Sequence, residues 1–231
     1  ERLSPVYETV SRVKARLPKE TTLIGFAGAP WTVALYAIEG RGKTDKSTAR
    51  LWAHQYPAEL DLLLDDLVEA TAHYMAAQAA AGADALMMFD SWAEGLPNDI
   101  FEKIIIGPNR KLVKRLRELG VTVPLIGFPR GAGVQLPEFA EQTGVNAVGL
   151  DTAALPSFVN RELPPTMPVQ GHLDPLLLMT GGDAMVRRIN ELLDAYRGRP
   201  HIFNLGHGVL PTTPIPHVEL AVKTVREWKA R

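Results

Sequence analysis

Leu23-Ile24-Gly25-Phe26-Ala27-Gly28-Ala29-Pro30-Trp31-Thr32 is the stretch on which the fold turns. An apolar run reaches Gly25, small residues follow, and Pro30 stands where a helix can begin. Proline suits the first helical position, because the N–H it lacks is one that a helix leaves unpaired. The stretch predicts a buried strand over 22–26 that turns tightly into a helix over 30–39, ended by Gly40. Gly28 and Ala29 leave the turn bare, so a ligand can reach backbone N–H groups at the helix N-terminus. A packed strand–helix turn with no ligand satisfies the same residues.

The same rhythm continues on both sides. Ser4-Pro5 starts a helix reaching Leu17. A long helix runs from Pro57 to Gly82, with Leu60, Leu63, Leu64, Leu67, Val68, Tyr74, Met75 and Ala79 at helical spacing. Strands are expected over 85–89, 123–128, 147–150, 167–170 and 201–204, and helices over 99–119, 136–142, 153–160, 183–196 and 216–229. The helix over 99–119 is expected to break at Gly107-Pro108. The strands are continuous apolar runs without hairpin signals between them, which predicts a parallel sheet buried on both faces. Two α/β architectures fit, a doubly wound sheet or a TIM barrel. Six strand–helix units fall short of a closed eight-stranded barrel. Either the sheet is open or further units precede Glu1. No linker or boundary interrupts the chain, so residues 1–231 are expected to form one domain. The polar stretch 41–49 reads as a solvated loop, with a mobile lid as the alternative.

Apolar residues make up 46% of the 231 and charged residues 22%, with a net charge of -1. That balance belongs to an ordinary globular domain and offers no electrostatic reason for a nucleic-acid or membrane partner. No apolar run approaches the roughly 18 residues of a membrane span, and no signal-peptide pattern opens the chain. With no cysteine there is no disulfide, cysteine nucleophile or thiolate metal site, which fits an intracellular location.

In parallel α/β folds the working residues gather at the carboxyl ends of the strands. Here those ends carry Gly28, Ala29 and Tyr36; Asp90 and Ser91; Arg130 and Gly131; Asp151; His172 and Asp174; and Gly206, His207 and Gly208. Asp151 and Asp174 can equally cap the helices that follow, and Asp90 can tie down its loop. His207 lies between two glycines, which permit close backbone approach and unusual dihedrals. A histidine so presented can bind a carboxylate, donate a hydrogen bond or move a proton near neutral pH. His54, His73, His201 and His217 read as surface or satisfied histidines. His172 and His207 match no compact metal-ligand spacing. Walker A, GxGxxG and GxSxG patterns are missing.

Gly25-Phe26-Ala27-Gly28-Ala29-Pro30-Trp31-Thr32, with Tyr36 and Glu39-Gly40, resembles the signature of the uroporphyrinogen decarboxylase family. Phe89-Asp90-Ser91-Trp92-Ala93, Gly149-Leu150-Asp151, Gln170-Gly171-His172-Leu173-Asp174-Pro175 and Asn204-Leu205-Gly206-His207-Gly208 follow in the family's order. The resemblance implies a TIM barrel, here incomplete, in a cytoplasmic homodimer of porphyrin and haem biosynthesis. The implied reaction removes carbon dioxide from the four acetate side chains of uroporphyrinogen III, giving coproporphyrinogen III, with no cofactor and no metal. Position by position, Tyr36, Ser91 and His207 resemble substrate-contacting residues, and Phe26 and Phe89 apolar residues lining the cleft. His172 stands where the family has Asn, and Glu94 where it usually has Gly; neither is expected to change the reaction.

The family's arginine-rich segment and its pyrrole-binding Asp have no match before Leu23. The chain is therefore expected to be the carboxyl-terminal two-thirds of such an enzyme. Loss of carbon dioxide leaves electrons that need a sink, which protonation of the adjacent pyrrole carbon provides. The resemblance assigns the charge-stabilising Asp and orienting Arg to residues upstream of Glu1, with no catalytic residue in this chain. The 231 residues alone are then expected to be inactive. Two rivals remain: a methyltransferase of the same superfamily, disfavoured because such enzymes hold zinc through Cys and His, and a non-catalytic tetrapyrrole-binding remnant.

Overall fold

The computed structural model describes residues 2–40 and 46–229. The chain divides into two compact units, residues 1–146 and 147–231. The first contains α1 (Ser4–Lys14), β1 (Ile24–Gly28), α2 (Pro30–Glu39), α3 (Ser47–Gln55), α4 (Pro57–Ala80) and β2 (Ala85–Asp90). It continues with α5 (Asn98–Phe101), a π-helical turn over Glu102–Ile106, α6 (Gly107–Glu118), β3 (Leu125–Pro129) and α7 (Leu136–Thr143). The second holds β4 (Ala147–Gly149), α8 (Pro156–Glu162), β5 (Val169–Gln170), α9 (Pro175–Thr180), α10 (Gly182–Ala195), β6 (His201–Ile202) and α11 (Ile215–Glu227).

Strand pairing is parallel throughout. In the first unit β1 pairs with β2 from Ile24↔Ala85 to Gly28↔Phe89, and β2 with β3 from Leu86↔Leu125 to Asp90↔Pro129. In the second, β4 pairs with β5 and β5 with β6. Within each unit each strand lies beside the next in sequence, which is barrel order and not the doubly wound order that reverses at a switch point. The fold class is α/β, with six βα steps of the TIM-barrel kind.

Several boundaries differ from those the sequence predicts. β1 begins at Ile24, not at residue 22, because Asp84 takes the Leu23 backbone: Oδ2 accepts its N–H at 2.8 Å, and the Asp84 N–H donates to its carbonyl. Lys14 Nζ holds both Asp84 oxygens at 2.7 Å, and these bonds, the Leu23 N–H foremost, keep that carboxyl below its ordinary range. β3 begins at Leu125, not at 123, because Arg117 Nη1 donates to the carbonyls of Val121 and Val123. The expected break at Gly107-Pro108 does not occur. The helical path continues through the π turn, where the Gly107 N–H reaches back to the Glu102 carbonyl, so the missing Pro108 N–H is absorbed. Lys46 and residues 47–49 of the predicted loop cap and open α3, which the sequence reading missed; residues 41–45 of the lid reading lie outside the described residues.

Burial on both faces holds for β2, β3, β4 and β5, whose residues are all buried apart from half-buried Phe89. It fails for β1, which alternates, with Gly25 and Ala27 inside and Ile24 and Phe26 exposed, and for β6, where Ile202 is exposed. Gln78 of α4, itself buried, supplies the pairing that β1 lacks at Phe26. Its Oε1 accepts the Phe26 N–H at 3.0 Å and its Nε2 donates to the Phe26 carbonyl at 3.0 Å. Gly25 is required there, since a Cβ would fall 2.9 Å from the Gln78 oxygen and from Leu86.

Gln78→Leu leaves both Phe26 backbone groups without that partner. The expected loss is about 1–3 kcal/mol, read from the urea unfolding midpoint; an unchanged midpoint would remove Gln78 from this role.

Candidate functional site

In the first unit the carboxyl ends of β1 and β2 are fastened together by one carboxylate. Asp90, 1% exposed at the end of β2, accepts from the Thr32 N–H at 3.2 Å and the Thr32 hydroxyl at 3.1 Å on Oδ1. Its Oδ2 accepts from Asn109 Nδ2 at 2.6 Å, and that amide also donates to the Ile105 carbonyl at the π turn. The Thr32 hydroxyl in turn accepts the Ser91 N–H at 2.9 Å. Trp31 Nε1 donates to the Trp92 carbonyl, and the Ala29 N–H to the Phe89 carbonyl. The open N-terminus that the sequence offered to a ligand at α2 is thus occupied by Asp90, a negative charge placed where the helix dipole favours one.

The residues singled out from sequence follow from this knot. Tyr36 lies one helical turn beyond Thr32 on α2 and is exposed; its ring meets Trp92 edge-on at 6.4 Å. Lys46 Nζ sits 4.5 Å from the centre of the same indole. Ser91 is half-buried, its backbone fixed by Thr32 on one side and by Arg130, whose Nη1 donates to its carbonyl at 3.0 Å, on the other. Phe26 is 60% exposed, and its ring meets Phe89 edge-to-face at 5.8 Å; Phe89 meets buried Phe128 in the same way. Phe26, at the middle of β1, thus leans on Phe89 near the carboxyl end of β2, where Ser91 follows and Trp92 meets Tyr36.

His207 belongs to the second unit, exposed in the loop after β6. Of its flanking glycines only Gly206 answers a close approach: a Cβ there would lie 2.5 Å from the Thr152 nitrogen. Gly208 faces open space, and neither glycine has a positive φ, so the expected unusual dihedrals do not occur. The Gly206 N–H donates to the Leu173 carbonyl, which fixes the His207 loop beside the segment after β5. Beside that loop an apolar groove of about 500 Å³ is lined by Phe203, Leu205 and Val209 together with Val218 and Val222 of α11.

His172 is not on the rim. It is buried, with Nε2 2.9 Å from the Tyr196 hydroxyl, and burial foremost, then the positive charge of Arg188, lowers its pKa to about 4. Asp174 caps α9 through the Leu176 N–H, and Asp151 accepts the Ala153 N–H in a turn. His201, His217 and His73 are satisfied by the Gly171 carbonyl, the Met179 carbonyl and Glu69. Among the described residues no three His, Asp or Glu side chains group so as to hold a metal. Sequence reasoning missed Thr32, Gln78 and Asn109. Their one signal was a hydrogen-bonding side chain placed on an otherwise apolar helix face.

Parallel strands in sequential order, with aromatic and hydroxyl groups gathered at their carboxyl ends, define a TIM-barrel-type α/β protein. A methyltransferase from Methanosarcina mazei, 18% identical, shares the fold with a TM-score of 0.81 over 98% of this chain and 64% of that one. The chain belongs to the uroporphyrinogen decarboxylase (URO-D) family, whose model matches residues 1–228. The uroporphyrinogen decarboxylase of Hyphomonas neptunium is 69% identical over 226 residues, 98% of this chain and 66% of that protein. That of Caulobacter vibrioides is 50% identical over 227 residues, 98% of this chain and 64% of that protein. The chain thus spans about two thirds of the length of the curated relatives it matches.

Burial pushes the Asp90 carboxyl up to about 6 from its ordinary 3.8, against the pull of its bonds from Asn109 and Thr32. The folded state therefore binds this proton more tightly than the unfolded one. Stability from this group is full below pH 4 and is lost as pH rises towards 6, by about 3 kcal/mol, then stays level. Urea unfolding from pH 4 to 7 is expected to show that fall in the wild type relative to Asp90→Asn; parallel curves would contradict it.

Proposed function

We propose that this chain works as part of a uroporphyrinogen decarboxylase, removing carbon dioxide from the four acetate side chains of uroporphyrinogen III to give coproporphyrinogen III. The observation that carries the reading is Phe26: a phenyl ring 60% exposed beside Phe89, at the strand end that also presents Tyr36 and Ser91. An exposed aromatic beside ordered hydroxyls suits a ligand with broad apolar faces and a polar edge. Pyrrole rings and their acetate arms have that chemistry. Family membership supplies the reaction.

In this reading Phe26 and Phe89 carry the macrocycle. Tyr36, Ser91 and His207 receive its carboxylates through hydrogen bonds. These residues seat the substrate and do not supply the electron sink. Stabilisation of the cation formed on protonation at the pyrrole carbon falls to the Asp, and orientation of the departing carboxylate to the Arg, that the resemblance assigns upstream of Glu1. Such stabilisation accelerates reaction because it is stronger in the transition state than in the bound substrate. The enzyme is read as a cytoplasmic homodimer that uses no cofactor or metal. Among the described residues no helix is long and apolar enough to cross a membrane. A zinc-dependent methyltransferase is disfavoured, because these 231 residues supply no cysteine to hold the metal.

His207→Ala in the natural full-length protein is expected to raise KM for uroporphyrinogen about tenfold or more while kcat falls less. Loss of turnover with binding intact would overturn the seating role. The 231 residues purified alone are expected to form no coproporphyrinogen, and product formation by them would contradict the division of labour.

A further inference from the structure

We propose that Arg130 is a further carboxylate-binding residue of this site, held in reserve by Glu94 until an acidic substrate displaces it. The inference rests on the reading of the site as a seat for a polycarboxylate. Arg130 is the first residue after β3, and its backbone N–H donates to the Asp90 carbonyl at 3.0 Å. That bond sets the end of β3 against the end of β2, next to Ser91. Its guanidinium uses one nitrogen: Nη1 donates to the Ser91 carbonyl at 3.0 Å and lies 3.4 Å from Glu94 Oε2. No acceptor among the described residues is bonded to the rest of the planar fork, and the side chain is 30% exposed.

The pairing is built into the backbone. Gly131 has a φ of +80°, and a Cβ there would fall 2.4 Å from the Glu94 Cβ, so the turn after Arg130 closes directly against Glu94. Arg50 Nη2 holds the Glu94 carbonyl from the other side at 2.5 Å. The Glu94 backbone is therefore fixed beside Arg130, and its half-exposed carboxylate is the temporary partner of the guanidinium. A half-exposed ion pair with one long contact is weak and exchanges easily. A carboxylate that takes the fork with two parallel bonds binds more strongly. A substrate carboxylate received by the Ser91 hydroxyl arrives beside this fork, and the Glu94 oxygen is what it replaces.

The test measures binding and turnover in parallel, in the natural full-length protein. The binding probe is uroporphyrin, a stable octacarboxylate, followed by quenching of tryptophan fluorescence. Arg130→Met is expected to weaken uroporphyrin binding about tenfold or more, and Arg130→Lys less. Glu94→Gln is expected to tighten binding about threefold by releasing the fork, and the double variant to bind like Arg130→Met alone. A purely structural pair predicts the opposite for Glu94→Gln: a lower melting temperature and unchanged or weaker binding. That result, wild-type affinity in Arg130→Met, or no uroporphyrin binding by the wild type would overturn the proposal. Arg130-dependent binding in a protein that forms no coproporphyrinogen would uphold it while sinking the decarboxylase reading.

Discussion

The carboxylate of Asp90, taken out of water at the end of β2, is the constraint from which the first unit's site follows. A buried charge costs several kcal/mol in solvation, and bonds from Asn109 and Thr32 return only part of it. The carboxyl pKa of about 6 records the balance: the fold would be more stable with the group protonated. A polar group kept at such a cost serves position more than stability. Asp90 stands where three elements converge, the N-terminus of α2, the end of β2 and the π turn before α6. Through Thr32 it sets the face on which Tyr36 stands, and through the Thr32 hydroxyl it sets the Ser91 backbone.

Around this rigid knot the exposed groups are those a ligand would use. Tyr36 and Phe26 keep about half or more of their surface open while the residues that hold them are buried. Gln78 secures the Phe26 backbone without covering the ring. A seat made of fixed backbone and open side chains loses little entropy when it binds a rigid macrocycle. The second unit follows the same logic by another route. There the Gly206 contact with Thr152, not a buried charge, fixes the loop that presents His207.

Much of this was legible from sequence, for identifiable reasons. Pro30 after two small residues marked the strand–helix turn, and the apolar runs of β2 and β3 marked buried parallel strands. What escaped depended on side chains reaching across the chain. Asp84 and Arg117 claim backbone groups at the starts of β1 and β3, so those strands begin two residues late. α3 is short and polar, and no apolar period announces it. His172 looked like a rim residue because it follows a strand, yet its ring turns inward to Tyr196. Asp90 was visible as a loop tie, but nothing local in the sequence pairs it with Thr32 and Asn109, which lie 58 and 19 residues away. Arg130 was visible as a strand end, and only its distance to Glu94 gives it a role.

The ionised Asp90 carboxylate holds Thr32 and Ser91 in register. Carbon-detected NMR of the side-chain carboxyl of Asp90 across pH 3–8 tests it most directly. A midpoint near 6 is expected, with the backbone amide resonances of Thr32 and Ser91 shifting at the same midpoint. A midpoint near the ordinary 3.8, with those two amides unmoved, would contradict it.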